Sequence, residues 1–233
     1  ENLKQCYEEL RKDAATGIDG VSHDKYREDL EANLQDLVKR LKTNRYQATD
    51  IRRVCIPKPE GGERPLGILA LEDKIVQKAV AKIFDAIYEQ DFLDDSYGFR
   101  AKRNCHDALK AVELGIMKRG VNYLLDVDIK GYFDTINHTW LMKMLRERIA
   151  DRTILRLIGK WLRVGILEEG RRRYNELGVP QGGVISPILA NIYLHYALDL
   201  WVKRVIGKEI SGRIYLVRYC DDSAPQAHKE VLR

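Results

Sequence analysis

The sequence predicts a mixed chain of the α+β class. Three observations point there: apolar residues recur at helical spacing in several stretches, apolar runs of β type lie between them, and no internal repeat or low-complexity stretch interrupts the order. Of the 233 residues, 45% are hydrophobic and 32% charged, with mean hydropathy −0.39. That apolar content excludes a disordered chain, and no stretch approaches the roughly 20 uncharged apolar residues that cross a bilayer, so no membrane partner is expected. Forty basic against 35 acidic residues give a formal charge of +5, which permits a polyanionic partner without demanding one.

Leu30, Leu34, Leu37, Val38 and Leu41 form one apolar stripe on a helix, preceded by the loop Thr16-Gly17-Ile18-Asp19-Gly20. Arg52 to Pro57 reads as a strand. Lys58-Pro59-Glu60-Gly61-Gly62-Glu63-Arg64-Pro65 then forces a turn, and Leu66 to Leu71 returns from it, so a hairpin with a basic tip is expected. Residues 41 to 66 carry six basic against three acidic side chains. Asp73 opens a helix with apolar positions Ile75, Val76, Ala79, Val80, Ile83 and Ile87, and another helix spans about Cys105 to Met117. Tyr123 to Ile129 is an apolar strand carrying Asp126 and Asp128. Trp140 to Ile149 and Ile154 to Leu162 are two further helices. Residues 152 to 173 hold seven basic and two acidic side chains, either a solvated face or a phosphate-binding one. Ser186 is placed to cap a long amphipathic helix running to about Lys203, with Pro187 at its first position. Ile214 to Tyr219 is a β-type run that stops at Cys220-Asp221-Asp222.

Cys6, Cys55, Cys105 and Cys220 are far apart, with no C-x-x-C pair and no histidine at zinc-ligand spacing, which favours a reducing compartment and a cytoplasmic location. The first residues, Glu1 to Asp13, are acidic and polar and resemble neither a secretory signal nor a transit peptide; they read as a start inside a longer chain.

The chemistry is suggested by Asp128 near the end of one apolar strand and Asp221-Asp222 directly after another. Carboxylates are costly to desolvate without partners, so a fold sets them at strand ends where solvent, a basic group or a cation reaches them. Two divalent ions about 3.5 to 4 Å apart, bridged by such aspartates, are a standard device for in-line phosphoryl transfer. The plain alternative is a hairpin turn and a solvated strand end.

Asp128-Ile129-Lys130-Gly131-Tyr132-Phe133-Asp134-Thr135-Ile136-Asn137-His138, Gly178-Val179-Pro180-Gln181-Gly182-Gly183-Val184-Ile185-Ser186-Pro187 and Tyr219-Cys220-Asp221-Asp222 occur in one order along the chain. With Ile56-Pro57-Lys58, Arg64-Pro65-Leu66-Gly67-Ile68, Ser96-Tyr97-Gly98-Phe99-Arg100 and Ala15-Thr16-Gly17-Ile18-Asp19-Gly20, the chain resembles the group II intron reverse transcriptases over about residues 11 to 222.

The resemblance implies a right-hand polymerase fold with fingers at 1–83 and 137–179, palm at 84–136 and 180–233, and the thumb absent. It makes Asp128, Asp221 and Asp222 the catalytic carboxylates and metal ligands, with the carbonyl of Ile129 completing the coordination of Mg²⁺, for which Mn²⁺ can substitute. Lys58 and Arg64 would meet the triphosphate of an incoming dNTP, Phe133 would exclude a 2′-hydroxyl, and Gln181 would contact the nucleotide. Asp126 and Asp134 are read as structural, and His106 and His138 as packing or hydrogen-bonding residues. The partners implied are an RNA template, a DNA primer and the intron RNA that the same protein binds as a maturase; a homodimer through apolar faces is a further expectation. The alternative is a non-catalytic RNA-binding segment that supports splicing only. A metal-dependent nuclease would leave the Pro-Gln-Gly-Gly and Tyr-Cys-Asp-Asp motifs unexplained. After Asp222 the pattern departs from the family: Pro225 and the polar residues around it predict that no normal second strand of the catalytic hairpin forms.

Overall fold

The computed structural model describes residues 1–57, 61–121, 123–168, 170–174, 176–209, 212, 214–223 and 226–227. Its first half builds a helical base for a small sheet. Helices α1 (Asn2–Glu8), α2 (His23–Arg27) and α3 (Leu30–Lys42) precede the hairpin β1 (Ile51–Pro57) and β2 (Glu63–Ile68). The stripe on α3 buries Leu34 and Leu37 as its spacing predicts, while α1 and α2 were not evident from periodicity. Ser22 caps α2 by accepting from the Lys25 amide at 3.2 Å.

Helix α4 (Leu71–Tyr88) starts two residues before Asp73 and buries Ile75, Val76, Ala79, Val80, Phe84 and Tyr88, whereas Ile83 remains exposed. Helix α5 (Cys105–Lys118) opens with a reciprocal capping box between Asn104 and Asp107. The expected strand from Tyr123 to Ile129 is two short pieces, β3 (Tyr123–Leu124) and β4 (Val127–Asp128), with Leu125 and Asp126 between them. Helices α6 (Tyr132–Thr135), α7 (His138–Arg146) and α8 (Arg152–Leu162) follow, α7 capped by Asn137 and α8 by Asp151.

Strands β5 (Ile166–Glu168) and β6 (Arg171–Arg173) complete a four-stranded sheet of order β2-β1-β5-β6, in which β1 and β5 run parallel. Helix α9 (Ser186–Leu194) corrects two expectations. Ser186 is the first helical residue and donates to the Pro180 carbonyl at 2.8 Å instead of capping, and the helix is buried on nearly all sides rather than amphipathic. Beyond Leu194 the backbone widens into π-helical turns at His195–Asp199 and Val202–Ile206 before α10 (Gly207–Glu209).

The last strands are β7 (Ile214–Tyr215), β8 (Arg218–Tyr219), β9 (Asp222–Ser223) and β10 (Gln226–Ala227). A return strand therefore does form after the Asp-Asp pair, against the expectation drawn from Pro225. It survives because β9 finishes before that proline and is paired on both sides, in a sheet of order β4-β9-β8; β10 joins β3 and β7 in another. One apolar core runs through α1, α4, α7, α8 and α9. Among the described residues no helix is long and apolar enough to cross a membrane.

A buried polar knot joins α4, α8 and the segment before β1. Tyr46, 1% exposed, donates to Asp73 and accepts from the Trp161 indole at 3.1 Å, and the Thr49 amide donates to Asp73 at 2.9 Å. Burial pushes the Asp73 carboxyl up to about 6. Its folded value lies above that of an unfolded carboxyl, so the linked stabilisation is complete below about pH 4 and is lost as pH rises through about 6. Relative to Asp73→Asn, the native chain should lose about 2–3 kcal/mol of stability between pH 4 and 7 in urea unfolding; a pH-independent difference would contradict the assignment.

Candidate active site

The backbone register sets Asp128 on β4 opposite Asp222 on β9, with Tyr219 on β8 facing Asp222 from the other side. Facing residues in an antiparallel ladder lie about 4.5–5.5 Å apart at Cα. Asp221 stands in the two-residue turn between β8 and β9, so three aspartates from two chain segments gather at one sheet end. Asp128 is exposed and Asp221 half-buried, and among the described residues no cation pairs with either. Gathered carboxylates that lack a protein counter-ion repel one another, and hard oxygen donors of this kind suit a hard divalent cation. The donor set therefore fits the implied metal. Among the described residues, which exclude the Asp222 side chain, no ready cluster of three His, Cys, Asp or Glu is formed.

What holds the turn is Arg218. All five of its N–H donors are used: two go to the Asp199 carboxylate at 2.8 Å each, and the others to Asn191 Oδ1 at 3.0 Å, the Cys220 carbonyl at 2.9 Å and Ser96 Oγ at 2.8 Å. Its main-chain amide donates to the Asp95 carbonyl and its own carbonyl accepts from the Tyr97 amide, each at 2.8 Å. The side chains of Arg218 and Asp199 are both at 0% exposure. A π-helical turn ends at Asp199, a local widening of the kind that often re-aims side chains at functional sites.

The Ser96-Tyr97-Gly98-Phe99-Arg100 segment lies under the same turn. Cys220 adopts φ +59, and its amide and sulfur press on Gly98 so closely that a Cβ there would collide with both. Asn191 donates to the Gly98 carbonyl at 2.7 Å, and Arg100 ties the segment to Glu89 at 2.8 Å and to the Leu93 and Ser96 carbonyls.

The second wall comes from α6 and the loop before α9. The Ile129 carbonyl accepts from the Tyr132 amide at 3.2 Å, which leaves one lone pair for another partner. Tyr132 is buried and donates to the Ala190 carbonyl at 2.7 Å; burial pushes its phenol far up. Phe133 is half-buried, edge-on to Phe99 with centroids 6.4 Å apart. The Val179 amide donates to the Phe133 carbonyl at 2.7 Å, and His138 Nε2 lies 2.6 Å from the Gly178 carbonyl. Gln181 directs its side-chain amide to Asp134 Oδ2 at 3.3 Å, while its carbonyl accepts from the Gly67 amide on β2 at 2.6 Å.

The structure thus brings Asp128, Ile129, Phe133, Asp221 and Asp222 to one end of the palm strands, with Gln181 held beside α6 through Asp134. Lys58 and the Arg64 and Asp222 side chains lie outside the described residues; the Arg64 backbone pairs with Ile56. Asp134, read as structural, holds Gln181, and His106 is exposed rather than packed. Arg218, Asp199 and Asn191 were missed. The one signal was a charge inside the apolar run from Ile214 to Tyr219.

Asp199→Ala should destabilise the chain by about 3–5 kcal/mol, because it strands a buried guanidinium, and adding Arg218→Met should recover most of that loss in urea unfolding. A loss under 1 kcal/mol for the single change would show the pair to be dispensable. Gly98→Ala should cost about 1–3 kcal/mol by forcing the turn away.

Residues 56–227 match the reverse transcriptase (RNA-dependent DNA polymerase) family. Over 203 residues the chain is 42% identical to Protein YkfC of Escherichia coli (strain K12), covering 85% of this chain and 53% of that protein. Over 200 residues it is 38% identical to the group II intron-encoded protein LtrA of Lactococcus lactis subsp. cremoris, covering 84% of this chain and 33% of that one. It therefore spans about half the length of the first relative and a third of the second. Among solved structures, the partial Cas6-RT-Cas1–Cas2 complex shares the fold at a TM-score of 0.57 and 22% identity, covering 97% of this chain and 36% of that one. With the carboxylates at the palm strand ends, the glycine-bounded loop at Gln181 and the family match over most of its length, this chain has the fingers-and-palm fold and belongs to the reverse transcriptase family, in its group II intron-encoded branch.

Proposed function

We propose that this chain is the nucleotidyl-transferring part of an RNA-directed DNA polymerase of a group II intron, whose parent protein also binds its intron RNA as a maturase. The register that sets Asp128 opposite Asp222, with Asp221 in a turn anchored from beneath and no cation of the chain on the described carboxylates, carries the reading. In it Asp128, Asp221, Asp222 and the Ile129 carbonyl hold Mg²⁺, which supplies activation of the primer 3′-hydroxyl and neutralises charge at the α-phosphate. The chain's own residues do the rest. Arg218 keeps the turn from shifting, Phe133 packs under the sugar of the dNTP, and Lys58 and Arg64 on the fingers hairpin meet the triphosphate. Gln181 reaches the nucleotide by exchanging its bond to Asp134 for one to the substrate. Fingers at 1–83 and 137–179 and palm at 84–136 and 180–233 follow from the same reading. The four free cysteines support a reducing compartment such as the cytoplasm, and exposed Leu109, Leu114, Ile116 and Met117 on α5 support self-association.

Extension of a DNA primer on an RNA template should require a divalent ion and fall at least about 100-fold in Asp128→Asn and in Asp221→Asn, about 3 kcal/mol of barrier, while RNA affinity holds or rises. Extension that survives both substitutions would sink the assignment. Phe133→Ala should raise ribonucleotide incorporation relative to deoxynucleotide incorporation; an unchanged ratio would remove Phe133 from sugar selection.

A further inference from the structure

A cavity of about 650 Å³ lies away from the carboxylates, between α7 and α8. Its floor is Leu155, Gly159 and Leu162, and its walls carry Lys143, Arg146, Arg152, Arg156 and Arg163, with no Asp or Glu among the lining residues. Several cations elsewhere sit in ion pairs: Arg40 with Glu72, Arg100 with Glu89, Arg103 with Asp94, Arg148 with Asp91 and Arg172 with Asp50. Among the described residues none of the five cleft cations is in an ion pair. Arg156 meets only the neutral Asn44 amide oxygen at 3.3 Å, Arg163 the Gly159 carbonyl at 2.9 Å, and Lys143 the face of Trp140 at 4.5 Å.

The placement follows from helix geometry. Arg152, Arg156, Gly159 and Arg163 are spaced i, i+4, i+7 and i+11 and share one face of α8, extending into the residue after it; at 1.5 Å per residue this makes a cationic rail of about 16 Å. Thr139, Met142, Lys143 and Arg146 face it from α7 with the spacing i, i+3, i+4 and i+7. Trp140, 55% exposed, lies on α7 with its ring under Lys143, one of the cleft cations. Like-charged guanidiniums held on facing helices repel in the empty cleft, and a chain of phosphates removes that cost. An exposed indole in contact with a cation of such a cleft is a stacking platform for an unpaired base.

We infer that the α7–α8 cleft binds the phosphate backbone of single-stranded RNA, with Trp140 stacking on an unpaired base. The site deepens the nucleic-acid reading above and rests on it for the choice of RNA over another polyanion. It is separate from the carboxylate site, so the two can fail independently.

The test is fluorescence anisotropy of a labelled oligouridine of about 20 nucleotides, titrated with the whole chain over a range of salt. Arg152→Gln/Arg156→Gln/Arg163→Gln should weaken binding about 10- to 100-fold at about 0.1 M salt and flatten the log–log salt slope by about 2, at roughly 0.7 per lost phosphate contact. Trp140→Ala should weaken binding about 5- to 100-fold and leave the slope unchanged. Lys12→Gln/Lys25→Gln/Lys110→Gln removes the same charge from exposed positions elsewhere and should change the affinity no more than about 2-fold. An equal loss in that control, an unchanged slope in the cleft variant, or no RNA binding by the native chain would each overturn the inference. So would competition by polyaspartate at equal charge, which would make the cleft a site for an acidic protein segment. A matched DNA oligomer tells RNA from DNA: equal affinity would overturn the choice of RNA. If the cleft variant binds RNA normally while Asp128→Asn abolishes extension, the inference fails and the polymerase reading stands. If Asp128→Asn has no effect on extension but the cleft variant loses RNA, the reverse holds.

Discussion

Arg218 carries a full charge out of water and is tolerated there because no donor of its guanidinium is left over. A buried ion pair adds little net stability, since desolvation cancels most of its Coulomb attraction, but it is unforgiving about geometry. That intolerance is what the palm uses. Five acceptors on four chain segments have to be in place together: Asp199 at the end of a π-helical turn, Asn191 on α9, Ser96 in the loop after α4, and the Cys220 carbonyl in the turn itself. The aspartate turn is therefore positioned by the same atoms that close the core, and it has little freedom of its own.

A parallel arrangement stands at the start of α4. There the buried knot is Tyr46, Asp73 and Trp161, and it joins the segment before the hairpin to α8. β5, which leaves α8, pairs parallel with β1 and begins with the Ile51 amide bonded to the Gly165 carbonyl at 2.8 Å. A chain segment that follows Asp128 thereby returns to finish a sheet begun before it.

Local features were legible where the chain announces them locally. The stripes of α3 and α4, the hairpin at β1 and β2, and the make-up of each aspartate motif all depend on residues within a few positions of one another. Illegible features depended on distant partners. Ser96 and Arg218 meet across 122 residues, so nothing near Arg218 said whether its charge faced solvent or the core. The strand carrying Asp128 was read as continuous because apolar residues outnumber its two aspartates, yet Tyr123, Leu124 and Leu125 are exposed, and pairing with short partners divides it. Ser186 had the composition of a cap, but the Pro180 carbonyl competed successfully for its hydroxyl. Pro225 was read as ending the hairpin; the register lets β9 finish before it.

The contact between Gly67 and Gln181 is made by main-chain atoms, with Gly182 at φ +99 pressed so close to the Gly67 carbonyl that a Cβ would stand 2.5 Å from it. A seam of this kind transmits displacement without regard to the side chains on either side. The β1–β2 hairpin and the loop at Gln181 are consequently joined through main-chain atoms, as a door is joined to its hinge leaf. Sequence drift at neighbouring positions can reshape what each part touches while leaving that linkage intact, provided the glycines stay.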